Sequence, residues 1–536
     1  MLKRIRFYLA LLRALVKRNQ KKVALAAVLL LLATFTLKIL LPAALPKLAA
    51  AYEEYQRPFF IEGVVGTPVT PNPLFDSSET AKDISRLIFR GLTRVDSKGN
   101  LKSDLAERFK KISDTEYVFY LKKNVFWQDG EKFTSDDVVY TIGLTQNPKY
   151  NSPLAANFKD VEVEKINDYQ LKFKLKEPFS PFPYATAVGI IPKHISLKSY
   201  KPIGTGPFSV KKINKEHIVL TSDKLNLVFK FYKNINEAKL ALKLGEIHAL
   251  GGLSPQEVSE LERFGTVKIY SHNLPFRETI ALFNTRSTPF QDRNVRQALS
   301  YLVDKEKIRM AVGGEDSVLA VNQLPLFNWV NNNKERYPYN LAEAKNKLGA
   351  AGFKLENGLW KKEGQKLSLT ITNVNDPELN SVSNFLKGAW RNFGIEVEAR
   401  VVEPETLRKE IIANRDFQVL VNFQEISPDP DQYVLWHTTQ TQKTNITGIS
   451  KSRLDKIIED ARQIDDQKER AEKYRLFTTL LADEAPAIFL YYPQYTWVVS
   501  KKVVGVNLAD FATPADRFNS FENWKISRGL LQLFRF

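Results

Sequence analysis

The stretch "NFQEISPDPDQYVLWHT", residues 422–438, sets Glu425, Asp429, Asp431 and His437 beside Phe423, Tyr433 and Trp436. Such a set fits a metal or catalytic centre, a ligand-binding loop, or an acidic turn whose carboxylates cap the next helix. The metal reading is poor, because Pro428 and Pro430 stiffen the loop and the chain's five histidines (His194, His217, His248, His272, His437) never fall at tight ligand spacing. Asp429 and Asp431 are too close in sequence to straddle a substrate as an acid–base pair. No G-x-S-x-G elbow supplies a nucleophile, and no G-x-x-x-x-G-K-[ST] loop supports nucleotide hydrolysis. "GTGPF" (204–208) is too short for a phosphate cradle and reads as a tight turn requiring positive φ at glycine. The chain has no cysteine, which excludes disulfides, thiolate metal sites, a cysteine nucleophile and a lipidated cysteine anchor.

The elements around the stretch say where it points. "LSLTITNV" (367–374) alternates as a strand, and Asp376-Pro377 then supplies an N-cap and a first-turn proline. Val382, Phe385, Leu386, Ala389 and Phe393 form a helical stripe that Gly394 closes. "IEVEARVV" (395–402) is the next strand, "PETLRKEIIAN" (404–414) the next helix and "FQVLVNF" (417–423) a third strand. This β-α-β-α-β run implies parallel strands with helical crossovers. Residues 422–438 therefore leave the C-terminal end of a parallel strand, where open α/β sheets bind ligands. Earlier, "EYVFYLK" (116–122) reads as a strand, Thr134 and Asp137 form a capping box, and "VEVEKI" and "YQLKFKL" flank a hairpin turn at Asn167-Asp168.

A chain of 536 residues is too long for one core. Its net charge of +18 invites a nucleic-acid reading until it is located. Residues 1–22 hold eight basic side chains and no acid, and the rest mixes 70 basic with 60 acidic residues without blocks, which is a solvated surface and argues against nucleic acid. The apolar run Val23–Leu37 spans roughly 22 Å as a helix, and snorkelling of Lys38 brings Ile39–Leu41 into the span. With basic residues before it and a nearly neutral flank after it, the N-terminus lies in the cytoplasm and the bulk outside. Residues 1–22 are thus a basic cytoplasmic segment, 23–45 a transmembrane anchor and 46–58 a linker. The competing reading is a cleaved signal peptide using Ala49–Ala51.

Several collinear motifs carry a resemblance. "LAERFKKISDTEYVFYLKKNVFWQDGEKFTSDDVVYTI" (105–142), "GTGPF" (204–208), "LKLGEIHAL" (242–250), "ALFNTRSTPFQDRNVRQALSYLVDKEKI" (281–308), "YPYNLAEAKNKLGAAGF" (337–353) and "DEAPAIFLYYP" (483–493) stand in order. Over about residues 59–505 the chain resembles the family 5 extracellular solute-binding proteins, the peptide- and nickel-binding receptors of ABC importers. The resemblance implies an α/β, two-lobed fold of the type II periplasmic-binding-protein kind that closes on ligand by a hinge. It places lobe I at 59–283 with an inserted subdomain at about 90–200, lobe II at 284–489, and a return to lobe I at 490–536. In peptide receptors of this family, the loop corresponding to 422–430 carries an aromatic residue and an aspartate that pairs with the peptide's α-ammonium. Alignment on Asp429-Pro430 sets Phe423 at the aromatic position and Ile426 at the aspartate.

The resulting expectation is a membrane-anchored extracytoplasmic receptor, monomeric and without cofactor or chemistry of its own. It takes an oligopeptide-like ligand and presents it to an ABC permease. Expected contacts are Gly66 and Thr67 in the first lobe, Asn284 and Arg286 at the crossover, and Phe423, Glu425, Asp429, Tyr433 and Trp436 in the second. The rivals are a receptor for a sugar, siderophore or metal chelate, a sensor signalling through the anchor, and an exported hydrolase.

Overall fold

In a computed structural model the chain is described at Tyr8 and over residues 16–21, 57–76, 78–330 and 334–527. The expected anchor at 23–45 lies outside the described residues, and among those described no helix is long and apolar enough to cross a membrane.

Two large sheets organise residues 59–527. The first has seven strands in the order 267–273, 494–500, 249–251, 59–65, 226–232, 217–221 and 209–213. Its centre is the parallel pair Phe59–Val65 and Asn226–Tyr232. Phe60, Leu227 and Phe229 pack on one face with Trp497 and Phe518, while Ile61, Val228 and Val498 pack on the other. Both faces are apolar because helices and the C-terminal segment cover them, so the strands read as near-continuous hydrophobic runs. Arg517 fixes that C-terminal segment: its buried guanidinium donates to Glu62 (3.3 Å) and Asp83 (2.7 Å), and the Trp497 indole N–H also donates to Glu62 (3.0 Å).

The second sheet runs 318–319, 487–492, 277–283, 419–425, 368–374 and 396–402. Strand 368–374 is parallel to both 396–402 and 419–425, as the β-α-β-α-β reading requires. Asp376 accepts from the backbone N–H groups of Glu378 and Leu379, Pro377 occupies the first turn, and the helix Pro377–Asn392 ends before Gly394, whose φ is +90°. The next helix departs from expectation: after Pro404–Thr406 it widens into π-type turns over Leu407–Ile412.

A third sheet of four strands, 106–113, 116–121, 170–174 and 162–167, has its own core of Phe119, Phe133, Phe158, Phe173 and Phe182. Its helix Ser135–Gln146 starts as the capping box dictates, the Thr134 N–H donating to Asp137 Oδ2 at 2.8 Å. The hairpin closes one residue later than expected: Asn167 pairs with Gln170, so the loop is Asp168-Tyr169. The glycines of "GTGPF" also have another reason. Neither has positive φ; a Cβ on Gly204 would stand 1.8 Å from the Ile88 carbonyl oxygen, and one on Gly206 2.5 Å from that of Leu87. The backbones simply pass too close for a side chain.

The chain crosses between the large sheets twice. Residues 274–276 join strand Val267–Asn273 to strand Arg277–Phe283, and Pro493 joins Ala487–Tyr492 to Gln494–Ser500. The Leu274 N–H donates to the Pro493 carbonyl at 2.9 Å, tying the crossings together. Strand 277–283, expected as the end of the first lobe, hydrogen-bonds only within the second sheet.

Candidate ligand-binding site

The expected residues Phe423 and Glu425 lie where the second sheet meets the crossings. Strand Val419–Glu425 runs antiparallel to Arg277–Phe283, pairing Arg277 with Glu425, Glu278 with Gln424, and Thr279 with Phe423. Side chains alternate between faces. On one face lie Arg277, Thr279, Phe423 and Glu425; on the other lie Glu278, Ile280, Gln424 and, one step beyond the strand, Ile426.

The first face carries charge between the sheets. Arg277 pairs with Glu425 (2.6 Å) and also with Glu79, which belongs to the helix Glu79–Ile88 beside the first sheet. Burial works against the Glu79 carboxylate, but Arg277 and Lys82 hold it below the usual range. Behind this bridge, the Tyr491 hydroxyl (2.8 Å) and the Thr279 hydroxyl (3.3 Å) meet Glu378, whose carboxyl burial pushes up to about 7. A second contact between halves of the molecule lies farther out. Ser180 donates its N–H to the Arg462 carbonyl (2.9 Å) and its hydroxyl to Asp465 (2.7 Å), and Lys111 pairs with Asp465. The Arg462 guanidinium is stacked between Phe179 (4.3 Å) and Tyr433 (4.2 Å).

The expected site residues divide accordingly. Phe423 and Glu425 lie at the crossings; Tyr433 is half-buried, stacked on His437 at 4.1 Å as well as on Arg462. Gly66 and Thr67 are exposed at the end of the first sheet's central strand, and the Gly66 N–H is already given to the Tyr232 carbonyl (2.9 Å). Asn284 and Arg286 are not at a crossing. They follow the far end of a seven-residue strand, roughly 20 Å away at about 3.4 Å per residue. There Asn284 is a buried brace, donating to the carbonyls of Arg415 and Phe417 (3.0 Å each) and accepting from the Arg286 N–H.

Asp429 is likewise paired within the protein. Both its oxygens accept from buried Arg470, at 3.0 and 2.7 Å, and the pair lies beneath the loop. Asp431 pairs with Arg462 at 3.2 Å, and His437 contacts Glu459 at 3.1 Å; among the described residues no cluster of three or more His, Asp or Glu could hold a metal. Trp436 is buried against Phe489 (ring centroids 6.3 Å apart). Ile426 is buried in the same cluster, its N–H donating to the Phe276 carbonyl at 2.8 Å. A separate cavity of about 650 Å³, lined by Leu302, Ile308, Tyr339, Phe385 and Phe393 among others, sits on the helical side of the second sheet.

Sequence reasoning did not single out Arg277, Glu278 or Glu79, which the fold brings beside the crossings. The signal for Glu278 was present: the alternation that buries Ile280 and Leu282 puts Glu278 on the same face.

Comparison with known proteins gives this geometry a context. Residues 100–445 match the profile described as bacterial extracellular solute-binding proteins, family 5 Middle. The chain is 29% identical over 505 residues to the oligopeptide-binding protein AppA of Bacillus subtilis, covering 87% of this chain and 91% of that one. It is 24% identical over 496 residues to the dipeptide-binding protein of Escherichia coli, covering 82% and 90%. Among solved structures, AppA of B. subtilis in complex with a nonapeptide superposes with a TM-score of 0.74 at 27% identity, covering 88% of this chain and 100% of that one. NikZ of Campylobacter jejuni in complex with Ni(L-His) gives 0.75 at 25% identity, covering 87% and 99%.

Proposed function

The chain belongs to the bacterial extracellular solute-binding proteins of family 5, and from that premise we propose that it captures an oligopeptide-like ligand outside the cell and delivers it to an ABC permease. The observation that carries the reading is the pairing of two sheets through two adjacent crossings, with aromatic and charged side chains gathered beside them, in a chain similar to AppA over nearly all of AppA's length. The lobes of this receptor are residues 59–273 with 494–527, and residues 277–492; the four-stranded sheet belongs to the first. Opening at 274–276 and Pro493 admits ligand, and closure desolvates it between the lobes. Gly66, Thr67, Phe423, Glu425 and Tyr433 line the space that closes, while Asn284, Arg286 and Asp429 hold the second lobe in shape. A peptide main chain supplies donors and acceptors to the strand ends, and the aromatics cover it. The receptor works as a monomer, performs no chemistry, and is held at the membrane by residues 23–45.

Native mass spectrometry of the detergent-solubilised full chain, followed by thermal shift with di-, tri- and nonapeptide pools, tests this. Peptides should raise the melting temperature by mass action. Shifts with sugars or metal–histidine chelates and none with peptides would replace the peptide by those solutes, the reading that the likeness to NikZ favours. Turnover of a bound compound would overturn the claim that the protein only binds.

A further inference from the structure

Glu278 is fully buried, with 0% exposure, yet neither of its carboxylate oxygens has a hydrogen-bond partner among the described residues. Burial alone pushes its carboxyl far above the usual range, and no neighbouring charge contributes. An unpaired buried carboxyl is costly and calls for an explanation.

It is not isolated. Glu278 shares its face of the sheet with Ile280 and Ile426 and lies next to Tyr492. The Tyr492 hydroxyl donates to the Leu324 carbonyl at 2.5 Å, and the Leu326 N–H donates to the Pro275 carbonyl at 2.9 Å, so residues 323–326 run beside the first crossing. On these converging segments stand Gln323 (1% exposed), Gln432 (0%) and Trp436 (3%); both amide atoms of each glutamine and the indole N–H also lack partners. Trp436 packs in one buried cluster with Ile280, Ile426 and Tyr492, which neighbour Glu278; Gln432 stands one helical turn before Trp436, and Gln323 precedes Leu324, whose carbonyl takes the Tyr492 hydroxyl.

We propose that Glu278 is the anionic subsite for a primary ammonium on the ligand, with the Gln323 and Gln432 amides and the Trp436 indole completing it. An ammonium offers three donors, which match a carboxylate and two amide oxygens. The remaining N–H groups of Trp436 and the amides suit a carbonyl oxygen next to that ammonium. Ammonium and adjacent carbonyl together describe a free peptide N-terminus. A metal ion fits this set poorly, since it holds one carboxylate and no imidazole. The position also answers the missing charge at 426. Glu425, the acidic neighbour of Ile426, points to the opposite face and is taken by Arg277, whereas Glu278 is a diagonal cross-strand neighbour on the same face, roughly 7–8 Å away.

This inference rests on the peptide-receptor reading, and calorimetry on the full chain separates the two. Alanine- and leucine-based nonapeptides are compared free, N-acetylated, and N-acetylated with one lysine. The expected result is that acetylation weakens binding about ten- to a hundred-fold. Glu278→Gln should weaken the free peptide by a similar factor and leave the acetylated one unchanged, whereas Glu425→Gln should not discriminate. Rescue of the acetylated peptide by lysine, itself lost in Glu278→Gln, would assign the ammonium to a side chain. Peptides that bind equally well with and without acetylation overturn the subsite and leave the receptor reading intact; no binding by any peptide overturns both. The acetylation comparison uses the natural chain, so it holds whether or not the variant folds.

Discussion

Glu378 shows what burial does to a single residue. Its carboxyl is raised by desolvation from the ordinary 4.5 to about 7, against the hydrogen bonds from Tyr491 and Thr279. The folded chain therefore keeps this proton at a pH where the unfolded chain has lost it. The associated stability is complete below about 4.5 and is lost as pH rises through about 7, a change of about 3 kcal/mol for that difference in pKa. Urea denaturation across this window should show Glu378→Gln losing less stability than the natural chain between those limits; equal slopes would remove Glu378 from the account. The same scale is where sequence reading was weakest. Phe423 and Glu425 were placed by their strand, but a carboxylate in a loop looks the same whether it meets ligand or a distant cation. Nothing local to Asp429 announces Arg470, which is 41 residues away.

Elements were more legible. Strand 368–374, the Asp376-capped helix and the parallel partner at 396–402 follow from period and capping, which act within a few residues. The sheet that strand 277–283 joins was not, because the strand is equally apolar in either sheet and only its partners decide. "GTGPF" is instructive for the same reason: its glycines answer a neighbouring backbone, not their own φ. Gly204→Ala should destabilise by about 1–3 kcal/mol or more through overpacking. Gly143, exposed in a helix with nothing within 4 Å of its Cβ position, should gain about 0.5–1 kcal/mol on the same substitution. Urea midpoints of the two variants moving in the same direction would contradict this pair of expectations.

Across the whole molecule, the bridge from Glu79 through Arg277 to Glu425 spans both large sheets next to the crossings. Its partners are partly solvated, so the bridge contributes little to stability, about 0–1 kcal/mol. In the proposed hinge motion, however, opening is an equilibrium between folded forms, and about 0.5–1 kcal/mol shifts it roughly two- to fivefold. Glu79→Gln should thus leave the melting temperature nearly unchanged while raising the radius of gyration of the ligand-free protein in small-angle scattering. A melting temperature that falls markedly with no expansion would make the bridge a structural prop instead of a latch.

The strand Gln494–Ser500 sits between Val267–Asn273 and Ala249–Gly251, and Arg517 closes on Glu62 and Asp83 from the far end of the chain. Synthesis delivers these parts last. A nascent chain that has reached Tyr492 already holds every strand of the second sheet, while Val267–Asn273 still has no partner and Glu62 no cation. The half that starts first therefore finishes last, and its beginning must wait, unpaired, for its end.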